Sequence, residues 1–235
     1  MPPSRSEEIS GMHSPQQTRA VLFDLDGTLA DTAPDMTDAL NELLARHGRD
    51  TLEYERVRKH TSRGGIALIE LGYDRPLDEH TIMRLRDEFL QIYARMLCIK
   101  TRLFPGIPAL LDWLDQAGLP WGIVTNKPGR LTEPLIRELD LANRTGCTIS
   151  GDSLPERKPS PEPLARAAQL LGVGRNECVY VGDDPRDIQA GQAASMKTAV
   201  AAYGYIQDSQ DPRTWGADVI LENALELKDW LFLQS

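Results

Sequence analysis

Most of the chain alternates between two kinds of pattern, and this alternation restricts the fold more than any other feature of the sequence. Short, mostly apolar runs of four to six residues, the length of buried strands, are separated by segments whose apolar residues recur at helical spacing. Strands that alternate with helices pair in parallel through right-handed crossovers, and helices then cover both faces of the sheet. The sequence therefore predicts an α/β protein built around one parallel sheet. The strand-like runs are residues 20–23, 121–126, 147–150, 178–182, 198–202 and 218–221.

Residues 33–98 interrupt the alternation, because they show helical spacing throughout and contain no strand-like run. Met36 and Leu40 share one helical face, and Leu85 and Phe89 share another. A crossover between parallel strands needs only about a dozen residues, so this segment is much longer than a connection requires. We therefore predict an inserted all-helical domain within an α/β core domain. The predicted core consists of residues 18–32 and 99–235, and the predicted insert of residues 33–98.

The first segment, residues 1–17, is predicted to be a disordered extension or the product of a misassigned start codon. It is rich in Ser, Pro, Gln and Glu, and it lacks the apolar stretch of a secretory signal. We expect no functional role for it.

Charge and hydropathy argue against two broad classes of function. The net charge of -9 opposes general binding of nucleic acid, and no apolar run approaches the ~18 residues of a membrane span. Cys98, Cys147 and Cys178 show no close pairing, which favours reduced thiols in a cytoplasmic protein. We therefore expect a cytoplasmic monomer or homodimer that acts on a small molecule, without a nucleic acid or a membrane as partner.

Two aspartates stand at the carboxyl end of the first strand-like run. Residues 20–23 lead directly into Asp24, and Asp26 points to the same side because side chains alternate between the faces of a strand. Two neighbouring carboxylates repel each other and are costly to bury, so such a pair usually persists where a cation or a reaction needs it. A strand that runs into an acidic turn would explain one aspartate but poorly explain two.

Further polar residues follow other predicted strands. Thr125 and Asn126 follow one strand and Asp183 and Asp184 follow another, and ligands of parallel sheets bind at the carboxyl ends of the strands. Carboxylates suit Mg²⁺, whereas Thr, Asn and Lys158, from a loop, suit a phosphoryl group. Each residue alone also fits a turn cap or an exposed side chain. Their joint position indicates a site for a metal ion and a phosphate.

Four motifs in a fixed order resemble the signature of the haloacid dehalogenase superfamily. The resemblance extends from about residue 19 to the end of the sequence. It implies a Rossmann-like core with a parallel sheet between helices, and a small helical cap in place of the inserted segment. The motifs are Asp24-Leu-Asp-Gly-Thr28, Val124-Thr-Asn126, Lys158-Pro159 and Gly182-Asp-Asp-Pro-Arg-Asp187.

Within the superfamily, the resemblance implies a phosphatase. Dehalogenases lack the second aspartate, which is Asp26 here, and P-type ATPases carry a lysine where this chain has Leu25. Phosphonatases use a cap lysine, but residues 33–98 contain only Lys59, which has no clear match to it.

The resemblance also implies roles for the acidic residues. Asp24 is expected to attack phosphorus and form an aspartyl-phosphate. Asp26 is expected to protonate the leaving alkoxide and then to activate the hydrolytic water. The expected Mg²⁺ ligands are the carboxylates of Asp24 and Asp183 and the backbone carbonyl of Asp26.

Five other residues are expected to support this chemistry. Thr125, Asn126 and Lys158 are expected to bind the transferred phosphoryl group. Asp187 is expected to lie behind the metal site or, alternatively, to orient Lys158. Asp184 stands where many relatives carry serine, and it is expected to contact a metal ligand without binding the metal itself.

The inserted segment is expected to determine the substrate specificity. Its loop of residues 62–65 contains two glycines, which permit close approach of the backbone. Arg63 in this loop is expected to pair with a substrate carboxylate, and an exposed arginine in a turn is the alternative.

Two phosphatase groups within the superfamily resemble the chain most. Residues 149–155 and 203–205 resemble the phosphoglycolate phosphatases, so phosphoglycolate is the expected substrate. The fourth motif and residues 215–218 are similar to the N-acetylmuramic acid 6-phosphate phosphatases, which gives the alternative substrate. A sugar phosphomutase and a non-catalytic binding protein are further alternatives.

Overall fold

The computed structural model describes residues 17–233, so all but the last residue of the predicted N-terminal extension lies outside the described part. The strands in chain order are β1 (Ala20–Phe23), β2 (Ala30–Asp31), β3 (Arg102–Leu103), β4 (Trp121–Val124), β5 (Cys147–Ile149), β6 (Cys178–Gly182), β7 (Lys197–Ala201) and β8 (Val219–Leu221). The helices are α1 (Ala33–Arg46), α2 (Tyr54–Arg58), α3 (Gly64–Tyr73), α4 (Glu79–Arg95), α5 (Ile107–Gln116), α6 (Gly129–Glu138), α7 (Glu162–Leu171), α8 (Pro185–Ala193) and α9 (Glu226–Leu233).

Six of these strands form one parallel sheet in the order β5-β4-β1-β6-β7-β8. β1 lies in the middle, where Val21 pairs with Trp121 of β4 and with Val179 of β6. The α/β prediction is therefore confirmed. Strand order reverses at β1, and the crevice at the carboxyl ends of β1 and its neighbours is the position at which such sheets bind ligands.

Both faces of the sheet are buried. Along β1, Val21 and Phe23 belong to one hydrophobic cluster, whereas Ala20 and Leu22 belong to another on the opposite face. All four side chains are fully buried, as expected of a central strand that helices cover on both sides.

Four strands differ in their bounds from the predicted runs: β4 and β5 end at Val124 and Ile149 instead of 126 and 150, β7 spans Lys197–Ala201 instead of 198–202, and β8 is shorter than 218–221. The strand predicted at residues 218–221 begins at Val219, because the Asp218 carboxylate accepts hydrogen bonds from the Thr198 N–H and hydroxyl. Helix α8 begins at Pro185, where the Asp184 carboxylate accepts the Arg186 N–H and caps the helix.

The inserted segment leaves and re-enters the sheet region through a short antiparallel ribbon, in which β2 pairs with β3. The Asp35 carboxylate at the start of α1 accepts hydrogen bonds from the Lys100 N–H and from the Thr101 N–H and hydroxyl, which fixes the two connections side by side. The helices α1–α4 share a hydrophobic cluster of their own, joined by Leu131 of α6. The division into two domains stays a prediction.

No helix within residues 17–233 is both long enough and apolar enough to cross a membrane. Cys147 and Cys178 are buried and Cys98 is partly buried, and all three are free thiols.

Candidate functional site

The predicted site residues converge at the carboxyl ends of the three central strands. Asp24 directly follows β1, Thr125 follows β4 and Asp183 follows β6. All three side chains are buried. Burial of carboxylates is costly unless donors or a cation compensate for the lost water, so the partners of each group define what the site can do.

Asp24 is held by one of its two carboxylate oxygens. Its Oδ1 accepts the Leu25 N–H at 2.7 Å and lies 3.0 Å from Lys158 Nζ. No hydrogen-bond donor from residues 17–233 contacts Oδ2. Burial raises the pKa of Asp24 from 3.8 to about 7, against the opposing effect of Lys158 and with further contributions from Asp187 and Asp26. A buried carboxylate with one unpartnered oxygen is suited to a cation or to nucleophilic attack.

Asp183 receives donors from three separate parts of the chain. Its Oδ2 accepts the Ser62 hydroxyl at 2.6 Å and the Tyr205 N–H at 2.9 Å, and its Oδ1 accepts the Thr28 hydroxyl at 3.3 Å. Burial and the neighbouring carboxylates nevertheless raise the pKa of Asp183 well above its usual range. Gly27 leaves room for this carboxylate, because a Cβ there would lie 2.1 Å from Asp183 Oδ2.

Lys158 is a buried cation between two aspartates. Its Nζ lies 2.7 Å from Asp187 Oδ1 and 3.0 Å from Asp24 Oδ1, and it donates to the Tyr180 hydroxyl at 2.7 Å. Burial alone would lower the pKa of Lys158, but Asp187 and Asp24 outweigh it and raise the pKa above its usual value. The ammonium therefore stays charged beside Asp24.

Thr125 and Asn126 both lie in the site, but their side chains already have partners. The Thr125 hydroxyl accepts the Lys127 N–H at 3.2 Å. The Asn126 side chain donates to the Lys158 carbonyl at 3.0 Å and accepts the Lys158 N–H at 3.1 Å. Asn126 thus fixes the backbone that carries Lys158.

Asp184 contacts a cation rather than the acidic cluster. Its carboxylate pairs with Arg186, with Nε at 2.7 Å from Oδ1 and Nη2 at 3.0 Å from Oδ2. Burial would raise the pKa of Asp184, but Arg186 and its backbone N–H hold that pKa below the usual value. The Arg186 guanidinium also donates to the Ser62 carbonyl at 2.9 Å. Asp184 and Arg186 therefore connect α8 to the inserted segment.

Asp26 has its own set of donors, two of which were not predicted to be functional. Its Oδ1 accepts the Thr32 hydroxyl at 2.6 Å and lies 2.9 Å from Lys127 Nζ. Lys127 also donates to the hydroxyl of Tyr93, which belongs to α4. Thr32 stands at the N-cap position of α1 without capping it, since its hydroxyl is engaged by Asp26. Lys127 directly follows Asn126 at a strand end, and this position was the one available signal for it.

The acidic cluster can hold a metal ion. One carboxylate oxygen each of Asp24, Asp183 and Asp187 lies within 4.8 Å of the others, and all three residues are buried. Three buried carboxylates offset by one lysine leave excess negative charge, and their oxygens are the ligands that hard divalent cations prefer. Both Asp187 oxygens, however, already accept hydrogen bonds, one from Lys158 and the other from the Asp184 N–H. The donor chemistry therefore fits a divalent cation, and Asp24 is the member of the cluster with an oxygen that no donor from residues 17–233 contacts.

A cavity of about 320 Å³ opens above these residues. Its wall contains both charged and apolar side chains. Arg63 in this wall has no side-chain hydrogen bond or ion pair with any residue the structure describes. The lining includes the arginines Arg63, Arg86, Arg157 and Arg186 and the apolar residues Met36, Ile66, Leu90 and Leu131.

Comparison with known proteins places the chain among hydrolases. The family model described as haloacid dehalogenase-like hydrolase matches residues 21–201. The chain is 42% identical to an N-acetylmuramic acid 6-phosphate phosphatase of Pseudomonas aeruginosa, over 91% of this chain and 94% of that protein. It is 43% identical to a phosphoglycolate phosphatase of Xanthomonas campestris pv. campestris, over 89% of this chain and 94% of that protein.

A solved structure agrees with the fold. The crystal structure of a predicted phosphoglycolate phosphatase from Haemophilus somnus 129PT superposes with a TM-score of 0.80 at 26% identity, covering 94% of this chain and 100% of that chain. The sheet and the inserted helices of this chain thus belong to a fold that a solved structure shares.

Proposed function

Since this chain belongs to the haloacid dehalogenase-like hydrolase family, we propose that it is a magnesium-dependent phosphatase of small phosphomonoesters that bear a carboxylate. The observation that carries the proposal is the buried cluster of Asp24, Asp183 and Asp187, with Lys158 beside Asp24, at a cavity whose lining includes four arginines. A phosphate dianion requires concentrated positive charge, which Lys158 and a divalent cation would provide together.

The proposed nucleophile is Asp24. One oxygen of Asp24 attacks phosphorus while the leaving oxygen departs in line, and an aspartyl-phosphate forms. Lys158, held by Asp187 and Tyr180, places its ammonium beside Asp24 and the incoming phosphoryl oxygens. The Thr125 hydroxyl completes the phosphoryl site in this proposal, and Asn126 supports that site by fixing the backbone that carries Lys158.

Asp26 is the proposed proton carrier. It protonates the leaving alkoxide in the first step and takes a proton from the hydrolytic water in the second. Its carboxylate lies on the cavity wall beside Asp24, so one residue can serve both steps without leaving the site.

The proposed metal ligands are the carboxylates of Asp24 and Asp183 and the backbone carbonyl of Asp26. Mg²⁺, when bound, supplies positive charge that screens the repulsion between the carboxylate nucleophile and the phosphate. The proposed role of Asp187 is to hold Lys158, because its Oδ1 pairs with the ammonium and its Oδ2 accepts the Asp184 N–H.

We place 2-phosphoglycolate first among the substrates, with Arg63 as the partner of its carboxylate. N-acetylmuramic acid 6-phosphate is the second candidate. The apolar side chains that line the cavity and its volume of about 320 Å³ favour this larger ester. The P. aeruginosa relative is named as a phosphatase of the same ester. In both cases α1–α4 act as a cap over the site, and the protein works in the cytoplasm as a monomer or homodimer.

The test is phosphate release from both esters by the wild-type protein and by the Asp24→Asn variant, with Mg²⁺ present. We expect wild-type turnover of at least one ester and none by Asp24→Asn, whose unfolding temperature should show that the fold is kept. Turnover by that variant at the wild-type rate would refute the nucleophile assignment. Release from neither ester by the wild type would refute the substrate class.

A further inference from the structure

A buried lysine outside the four family motifs contacts the proposed proton carrier. Lys127 lies in the loop after β4 and is only 7% exposed. Its Nζ lies 2.9 Å and 3.2 Å from the two carboxylate oxygens of Asp26. A buried ammonium that reaches both oxygens of one carboxylate fixes the orientation of that carboxylate.

The same ammonium is held from the other side by the inserted helices. Tyr93 of α4 is fully buried, and its hydroxyl accepts a hydrogen bond from Lys127 Nζ at 3.0 Å. The ammonium also lies 4.5 Å from the centroid of the Tyr93 ring, within the range of a cation–π interaction. The Tyr93 ring is itself stacked against Phe89 of the same helix. Through Tyr93, the inserted segment therefore helps to fix the position of the Lys127 ammonium.

Asp26, Lys127 and Tyr93 all line the cavity, next to Asp24. Apart from Lys127, the one side chain of the described residues that donates to the Asp26 carboxylate is Thr32. The direction in which Asp26 faces the cavity thus depends on Thr32 and Lys127, only Lys127 contacts both oxygens, and Tyr93 of α4 helps to position Lys127.

We propose that Lys127 and Tyr93 are positioning residues that aim the Asp26 carboxyl group at the leaving oxygen while α4 is packed against the core. This inference rests on the proposed function, because it takes Asp26 as the proton carrier. In the affected step the P–O bond to the leaving group breaks, phosphorus bonds to Asp24, and the Asp26 proton moves to the departing oxygen. Tyr93 thereby connects the packing of the inserted helices to proton transfer.

The expected signature is a selective loss that depends on the leaving group. An alkoxide needs the Asp26 proton as it departs, whereas p-nitrophenolate is stable enough to leave without one. We expect Tyr93→Phe to lower kcat/KM for an alkyl phosphomonoester about tenfold, because a hydrogen bond to a charged group is lost. The value for p-nitrophenyl phosphate should stay within about twofold of wild type, since kcat/KM reports only the steps through leaving-group departure.

A matched control is available on a neighbouring helix. Tyr73 of α3 is buried as well, and its hydroxyl has no hydrogen-bond partner among residues 17–233. Tyr73→Phe therefore removes an equivalent buried hydroxyl with no contact to Lys127, and we expect wild-type ratios between the two substrates. Lys127→Met should show the same selectivity as Tyr93→Phe with a larger loss, and Lys127→Arg should restore part of it.

The experiment measures kcat/KM for an alkyl phosphomonoester and for p-nitrophenyl phosphate on all five proteins, with thermal unfolding as a check of the fold. Equal losses on the two substrates in Tyr93→Phe and Lys127→Met would show that these residues only stabilise structure, and unchanged rates would show no role; either result overturns the inference. If the wild-type protein cleaves neither substrate, the proposed function fails first. If it cleaves both and the ratios do not change, the inference about Lys127 and Tyr93 fails alone.

Discussion

Binding of Mg²⁺ should stabilise the protein strongly at alkaline pH and hardly at all at acidic pH. The physical reason is the crowding of Asp24, Asp183 and Asp187, whose carboxylate oxygens lie within 4.8 Å of one another, with Lys158 as the cation between Asp24 and Asp187. Burial, together with this repulsion, favours the protonated carboxyl groups when no cation is bound. The pKa of Asp24 accordingly rises from 3.8 to about 7, mainly through burial.

The size of the effect follows from that pKa. Consider a Mg²⁺ concentration about 100-fold above the dissociation constant at about pH 8, where Asp24 is mostly ionised. Such binding stabilises the fold by about 2.7 kcal/mol, which raises the unfolding temperature of a chain of this size by roughly 5–10 °C. About pH 5 lies about two units below the pKa of Asp24, so Asp24 is almost entirely protonated there. The cation must then displace that proton, which weakens Mg²⁺ binding about 100-fold. The same Mg²⁺ concentration then adds only about 0.4 kcal/mol.

The metal-free protein should show the opposite trend. A folded-state pKa above the unfolded value means that the fold binds the proton more tightly than the unfolded chain does. The contribution of Asp24 to stability is therefore fully present below 3.8 and is lost as the pH rises towards about 7. The raised pKa of Asp183 acts in the same direction.

Scanning calorimetry checks both trends, with EDTA or Mg²⁺ at the two pH values and with ionic strength matched by NaCl. Asp183→Asn is the control, because it removes one proposed ligand and should abolish the stabilisation by Mg²⁺. A rise in unfolding temperature of the same size at both pH values would refute the link between protonation and metal binding. No rise at the higher pH would refute the metal site itself.

Three further predictions test single contacts. Arg63→Ala should raise KM for a carboxylate-bearing phosphomonoester about tenfold or more and leave KM for p-nitrophenyl phosphate unchanged; equal effects on both substrates would exclude a carboxylate contact. Tyr180→Phe should lower the free energy of unfolding by about 1–3 kcal/mol, measured with urea, because Lys158 loses a buried acceptor; wild-type stability would contradict this. Gly27→Ala should lower the free energy of unfolding by at least about 1–2 kcal/mol, because Gly27 has a φ of +85°. It should also abolish stabilisation by Mg²⁺, since the added Cβ would overlap Asp183; retained metal binding would show that Asp183 can move.

The fold was predictable because its determinants are local and repeated. Apolar runs of strand length and helical spacing fixed the class, and a parallel sheet then placed the ends of β1, β4 and β6 together. Exact boundaries depend on single side chains. The Asp218 carboxylate accepts hydrogen bonds from Thr198, and β8 begins only at Val219, whereas periodicity reports only the apolar face.

The site was predictable in part for the same reason. Asp24, Thr125 and Asp183 follow strands that the pattern reveals, so their proximity follows from topology. The contacts of Tyr93 with Lys127 and of Ser62 with Asp183 connect residues distant in sequence. They depend on how the inserted helices sit against the core, which no local pattern encodes.

Within the fourth motif, Asp184 is paired with Arg186, and the pair links the acidic cluster to the inserted segment. Asp184 alone beside the acidic cluster would add negative charge where it is already in excess. Paired with Arg186, it is neutralised, and the guanidinium gains a fixed direction towards the Ser62 carbonyl. The Ser62 hydroxyl in turn donates to Asp183. The inserted segment thus reaches the proposed metal ligand through Ser62 and the proposed proton carrier through Tyr93 and Lys127. A substrate too large to let these helices pack would disturb both contacts at once, so selection by size would act on the rate of chemistry as well as on binding.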